Sequence, residues 1–88
     1  MSDISSLLAG TWYTQDRKFR IWFGEGWYRI GDEIAREMRS KVLQPNTLDF
    51  DEYRISELVG DQMRLHRFTP GMIRLLIHAE VFFLTREK

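Results

Sequence analysis

The chain has 88 residues, of which 43% are hydrophobic and 14% aromatic. This is enough apolar material for one small core and too little length for two domains. Thirteen basic side chains balance thirteen acidic ones, so no net field draws the chain to nucleic acid or to an anionic membrane. Cysteine is absent, which excludes disulfides, thiol nucleophiles and Cys-based metal sites and fits a cytoplasmic location.

Met1 to Leu8 lacks the basic and long apolar regions of a secretory signal, and no apolar run approaches the roughly 20 residues that span a bilayer. Ser2 or Asp3 can cap one helical turn that Gly10 ends. From Thr11 the hydrophobic period becomes two. Phe19, Ile21 and Phe23 alternate with Arg20 and Trp22, as in a half-buried strand. Gly24-Glu25-Gly26 follows as a hairpin turn, with both glycines supplying positive φ angles, and Trp27 to Ile30 is the returning strand.

In the segment from Asp32 to Leu43, Ile34, Met38 and Val42 are spaced four apart. They share a face of a helix capped by Asp32 and equally a face of a strand, so both readings stand. Gln44-Pro45-Asn46 is a break. Beyond it Leu48 and Phe50, Tyr53 and Ile55, and Met63 and Leu65 alternate with polar residues. Val59-Gly60-Asp61-Gln62 and Thr69-Pro70-Gly71 are turns. The last segment sets Ile73, Leu75, Ile77, Ala79, Val81 and Phe83 on one face, either as one long strand or folding back near His78-Ala79-Glu80. Seven or eight short strands with regular turns predict an all-β chain, with at most one short helix: a small antiparallel meander β-barrel over residues 1–88. Unpaired edges invite association, so closure or dimerisation is expected.

Two ends of the chain carry a family pattern. Gly10-Thr11-Trp12 opens the first strand, and Phe83-Leu84-Thr85-Arg86 closes the last. Between them stand Leu48, Tyr53, Ile55, Leu58, Gly60-Asp61 and Met63-Arg64-Leu65. This resembles the small bacterial lipocalin-like (calycin) domains, whose first strand bears Gly-x-Trp and whose closing strand lays an Arg over that Trp. The resemblance implies a barrel that binds rather than catalyses, with Trp12 and Arg86 as its structural closure. On physical grounds alone, a guanidinium stacked on an indole contributes roughly 0.5–2 kcal/mol and ties the first strand to the last.

Residues that would carry chemistry are sparse. His66 and His78 lie opposite the apolar face and lack partners at metal-ligand spacing, so exposed sheet positions are expected. Asp49, Asp51 and Glu52, with Glu57 and Asp61 nearby, read as a solvated edge. Gly24-Glu25-Gly26 lacks the third glycine and helix of a dinucleotide turn. No catalytic, metal or cofactor residue is assigned, no cofactor is expected, and the chain is read as a non-enzyme.

The stretch from Trp12 to Arg29 is the most unusual. Tyr13, Trp22, Trp27 and Tyr28 are interleaved there with Arg17, Lys18, Arg20 and Arg29. Alternation turns Trp22 and Trp27 outward, making them, with Arg20 and Arg29, the candidate interface or ligand surface. The function expected is non-catalytic binding of a small apolar ligand or a protein partner, with homodimerisation through Trp22 and Trp27. The alternatives are a filled interaction or oligomerisation module, and a single-stranded nucleic-acid binder on this face, against which the neutral overall charge weighs. A membrane partner is not expected.

Overall fold

In a computed structural model, residues 7–44 and 47–87 are described. The proposed cap at Ser2 or Asp3 and the break at Pro45-Asn46 lie outside them. Nine strands form one antiparallel sheet: β1 (Gly10–Thr14), β2 (Arg20–Gly24), β3 (Trp27–Ile30), β4 (Arg36–Glu37), β5 (Ser40–Gln44), β6 (Thr47–Phe50), β7 (Tyr53–Val59), β8 (Gln62–Arg67) and β9 (Glu80–Arg86). The order across the sheet is β4-β3-β2-β1-β9-β8-β7-β6-β5. The chain is thus a meander whose last strand pairs with its first, curled into a half-barrel. The two sheet ends, β4 and β5, are separated in sequence only by Met38 and Arg39. Among the described residues no helix is long and apolar enough to cross a membrane.

Alternation explains the core. Trp12, Ile21, Phe23, Tyr28, Leu48, Phe50, Ile55, Leu65 and Leu84 point inward and are buried. Where alternation fails, a bulge is responsible. β7 pairs Ile55 with Leu65 but Glu57 with Arg64, so Ser56 is the extra residue. The slip turns Leu58 inward and releases Glu57 to solvent, whereas strict alternation would bury the carboxylate.

The segment from Asp32 to Leu43, which fits helix and strand alike, is not helical: it holds β4 and part of β5, with Ile34 and Val42 exposed. A three-turn helix gains most of its stability from packing one face, and β3 and β6 already consume the neighbouring core. The C-terminal reading changes more. Residues 69–79 form no strand; they run to a short 3-10 turn at Leu76–His78 before β9. The face expected to be apolar and inward turns outward, with Ile73 81% and Ile77 86% exposed and Phe83 open to solvent. The reason is parity. Trp12 is paired directly with Arg86, so Phe82, Leu84 and Arg86 take the inward side and Val81 and Phe83 the outward one.

Arg86 is the closing residue. Its guanidinium lies 4.5 Å from the centroid of the Trp12 ring, as the positions of the two residues in the sequence suggest. Its Nη2 donates to Leu7 O at 2.6 Å, its backbone N–H donates to Asp61 O at 2.8 Å, and its Nε stands 3.4 Å from the Asp61 carboxylate. The Trp12 indole Nε1 donates to Leu8 O at 2.8 Å. One cation therefore joins the N-terminal turn, β1, β9 and the β7–β8 turn. Replacing it with Met removes a charge-assisted hydrogen bond and the stacked cation while keeping the aliphatic stem. Arg86→Met is expected to lose about 2 kcal/mol in urea unfolding, and Arg86→Lys to recover only part of that loss. An unchanged midpoint in Arg86→Met would remove the residue from this role.

Candidate functional site

The outward face of β1, β2 and β3 gathers the candidate residues. Thr11, Trp22 and Arg29 form one row across the three strands, and Tyr13 and Arg20 stand side by side in the next. Trp22 is 42% exposed and its ring centroid is 6.1 Å from that of Trp27. The Arg29 guanidinium lies 5.1 Å from the Trp22 ring centroid, and that of Arg17 lies 4.5 Å from the Tyr13 ring centroid. Tyr13, Arg17, Lys18, Arg20, Trp22 and Arg29 line an open groove of about 540 Å³ with Glu87 on its rim, and Trp27 stands outside it against Trp22. Trp22, Trp27, Arg20 and Arg29 are thus brought together, whereas Trp12 and Arg86 belong to the closure.

Gly24 holds this face in shape by being small. It has no positive φ, unlike Gly26 at +77°, so only the second glycine of the hairpin serves the turn. A Cβ on Gly24 would stand 2.1 Å from the Trp27 indole, which lies flat across the backbone there.

Ion pairing distinguishes this face from the rest of the surface. The acidic residues expected to be solvated are largely taken up. Asp49 accepts from Arg54 at 2.6 and 3.0 Å, has Arg74 at 3.6 Å, and keeps only 17% side-chain exposure. Glu52 pairs with Arg36, Glu57 with Arg64 and Glu80 with Arg67. Asp51, at φ +49° in the β6–β7 turn, accepts the Tyr28 hydroxyl. Burial, followed by that hydrogen bond, pushes the Tyr28 pKa upward, so the phenol stays protonated and remains a donor. Arg36 also donates to the Tyr28 hydroxyl and to Glu52. These contacts tie β3 and β4 to the β6–β7 turn with side chains. On the candidate face Arg20 has Asp32 at 3.3 Å, but among the described residues no carboxylate forms an ion pair with Arg17, Lys18 or Arg29.

The histidines depart from expectation. His78 sits in the 3-10 turn rather than in a strand. His66 does face outward but is only 8% exposed, flanked by Arg54 and Val81 in the neighbouring strands. Its Nε2 shares a 2.7 Å hydrogen bond with Ser56 Oγ, and its Nδ1 is buried without a partner. An orphaned N–H costs more than an orphaned lone pair, so we assign the proton to Nε2, donating to Ser56. In that tautomer the imidazole cannot take the serine proton, and no carboxylate stands at Nδ1 to orient it. The sequence holds no signal for this contact, because it depends on the Ser56 bulge. Among the described residues no group of three potential metal ligands is assembled.

Tyr13, Arg17 and Lys18 contribute as much to the groove as Arg20, Trp22 and Arg29, the three of the four residues singled out from the sequence that line it. The local charge shows it: residues 12–31 hold four cations and two acids in a chain that is neutral overall. Comparison with family models, with curated proteins and with solved structures returned no match.

Two outcomes follow. Gly24→Ala is expected to push the Trp27 ring off the strand, reddening tryptophan emission and costing about 1 kcal/mol of stability; unchanged emission would show that the ring does not need the space. Burial, reinforced by Arg64 and Arg54, holds the His66 pKa below its usual value. The unfolded chain then binds the proton first, so this part of the stability is intact above about pH 6.5 and is lost as the pH falls below it. Urea midpoints measured from pH 7.5 to 5 should fall in the wild type and flatten in His66→Gln; parallel curves would contradict the assignment.

Proposed function

We propose that the chain is a non-catalytic binding domain of lipocalin-like descent that recognises an anionic partner on the outer face of β1–β3. What supports the descent is the Gly10-Thr11-Trp12 opening, the Arg86 cap on Trp12 and the return of β9 to β1. What carries the functional reading is the contrast between inside and outside. Trp12, Tyr28, Phe23 and Phe50 fill the space that a larger barrel leaves for a ligand. The outer face instead presents an exposed indole among four cations, of which Arg20 pairs with Asp32, Lys18 has Asp16 beside it, and Arg17 and Arg29 form no ion pair with a described carboxylate. A cation stacked on a ring is stiffened yet still charged, which suits it to a flat, negatively charged partner. The non-catalytic part of the reading rests on the Ser56–His66 pair, whose base lone pair faces no substrate-accessible group.

The same charges weigh against a two-fold contact of this face with itself. An isologous interface would set Arg17, Lys18 and Arg29 near their own copies. The homodimer expected through Trp22 and Trp27 is therefore set aside in favour of an anionic partner.

Amide NMR titrations test the reading. A short dextran sulfate, which offers charge without peptide or base, is expected to shift Tyr13, Arg17, Trp22 and Arg29, including the Trp22 indole N–H. Laurate, an apolar probe, is expected to leave Leu48, Ile55 and Leu65 unmoved. Interior shifts with laurate and none on β1–β3 with dextran sulfate would transfer the binding function to the inside of the barrel.

A further inference from the structure

We infer that the groove on β1–β3 binds single-stranded nucleic acid, with phosphates held by Arg17, Lys18 and Arg29 and bases laid against Tyr13 and Trp22. This rests on the reading of that face as the binding surface and names its ligand class. The first observation is charge segregation. The chain is neutral, and most of its arginines are spent on carboxylates: Arg36, Arg54, Arg64, Arg67 and Arg86 each have one within 4 Å. Among the described cations without a carboxylate within 4 Å, Arg17, Lys18 and Arg29 line the same groove, while Lys41 stands apart on β5. Neutrality of the whole chain, which weighs against nucleic acid in the sequence, thus conceals a local excess of cations in this groove that is offset by acids elsewhere, such as Glu25 and Glu33.

The second observation is the placement of the rings. Tyr13 is paired with Arg20, and Trp22 stands two residues further along β2. Tyr13 and Trp22 are therefore diagonal neighbours on one face, an interval of roughly 7–8 Å in an antiparallel sheet. Two flat groups at that interval can each take one base of an extended strand once the guanidiniums of Arg17 and Arg29, which lie over the two rings, swing off them to meet phosphate. An acidic peptide would satisfy the cations but has no flat groups to use both rings. The contacts involve ring faces and charge rather than base edges, so little sequence preference is expected. Glu87 at the rim and Asp32 beside Arg20 limit the cationic length, which fits a few nucleotides rather than a long tract.

Fluorescence anisotropy of labelled dT12 tests the assignment, with the dextran sulfate of the preceding section and a glutamate dodecapeptide as competitors. Binding is expected to weaken roughly 20- to 50-fold between 50 and 200 mM salt, as three to four phosphate contacts require. The Arg17→Gln/Lys18→Gln double variant changes exposed side chains only and should lower the salt slope by about 1.4. Trp22→Ala should weaken binding about tenfold with its slope unchanged. Thermal melts confirm that each variant folds. Dextran sulfate bound on β1–β3 without dT12 binding would overturn the nucleic-acid assignment and leave the anionic face standing. A glutamate peptide that competes as strongly as dT12 itself would replace nucleic acid with an acidic protein surface. Binding of dT12 unaltered by both variants would place it elsewhere and overturn the inference, and failure of every polyanion would remove the binding reading as well.

Discussion

Arg86 stacked on Trp12 is the contact from which the remaining geometry follows. It joins residues at opposite ends of the chain and completes the pairing of β9 with β1. Without that pairing the meander would be two separate ribbons, β1–β4 and β5–β9, each too small to bury its apolar face. With it, the sheet curls enough for Phe23 and Tyr28 on one ribbon to meet Phe50 and Tyr53 on the other. The arrangement also fixes parity along both strands. Trp12 inward means Thr11 and Tyr13 outward; Arg86 inward means Leu84 inward and Phe83 outward.

This parity explains how much was legible in the sequence. The β2–β3 hairpin, with strict alternation and a glycine in its turn, follows from local pattern because sterics and hairpin geometry are local. The outward placement of Trp22 and Trp27 follows from the same rule. The last strand departs from its local pattern for an instructive reason: the apolar run from Ile73 to Phe83 looks like a core face, yet an Arg86 facing Trp12 is incompatible with Phe83 facing inward. Pairing between chain ends outweighed local hydrophobicity. The Ser56 bulge and the burial of His66 left no trace in the pattern, because each depends on register between neighbouring strands. Asp32 to Leu43 stayed ambiguous since a spacing of four satisfies both periods, and only the absence of a free core face decides between them.

The candidate surface is legible in composition but not in its chemistry. Aromatic and basic residues between Trp12 and Arg29 stand out at once. What the sequence cannot display is which cations are neutralised. Asp49, Glu52, Glu57 and Asp61 look like a solvated acidic stretch, and the fold assigns each to an arginine. Setting these pairs aside leaves a small groove with an excess of cations on an electrically neutral chain, beside an interior packed with aromatic rings.

The central claim is a sheet closed through β1 and β9 and open between β4 and β5, and native-state amide hydrogen exchange reads it residue by residue. Amides in the β1–β9 and β8–β9 ladders should exchange only through global unfolding, so that their free energies match that from denaturant. Amides of β4 that face away from β3, and those of β5 that face away from β6, should exchange far faster, since backbone pairing is missing there. Equal protection of β4 and β5 would mean a barrel closed at that seam, and fast exchange at Trp12, Tyr13 and Thr85 would contradict the account at its root.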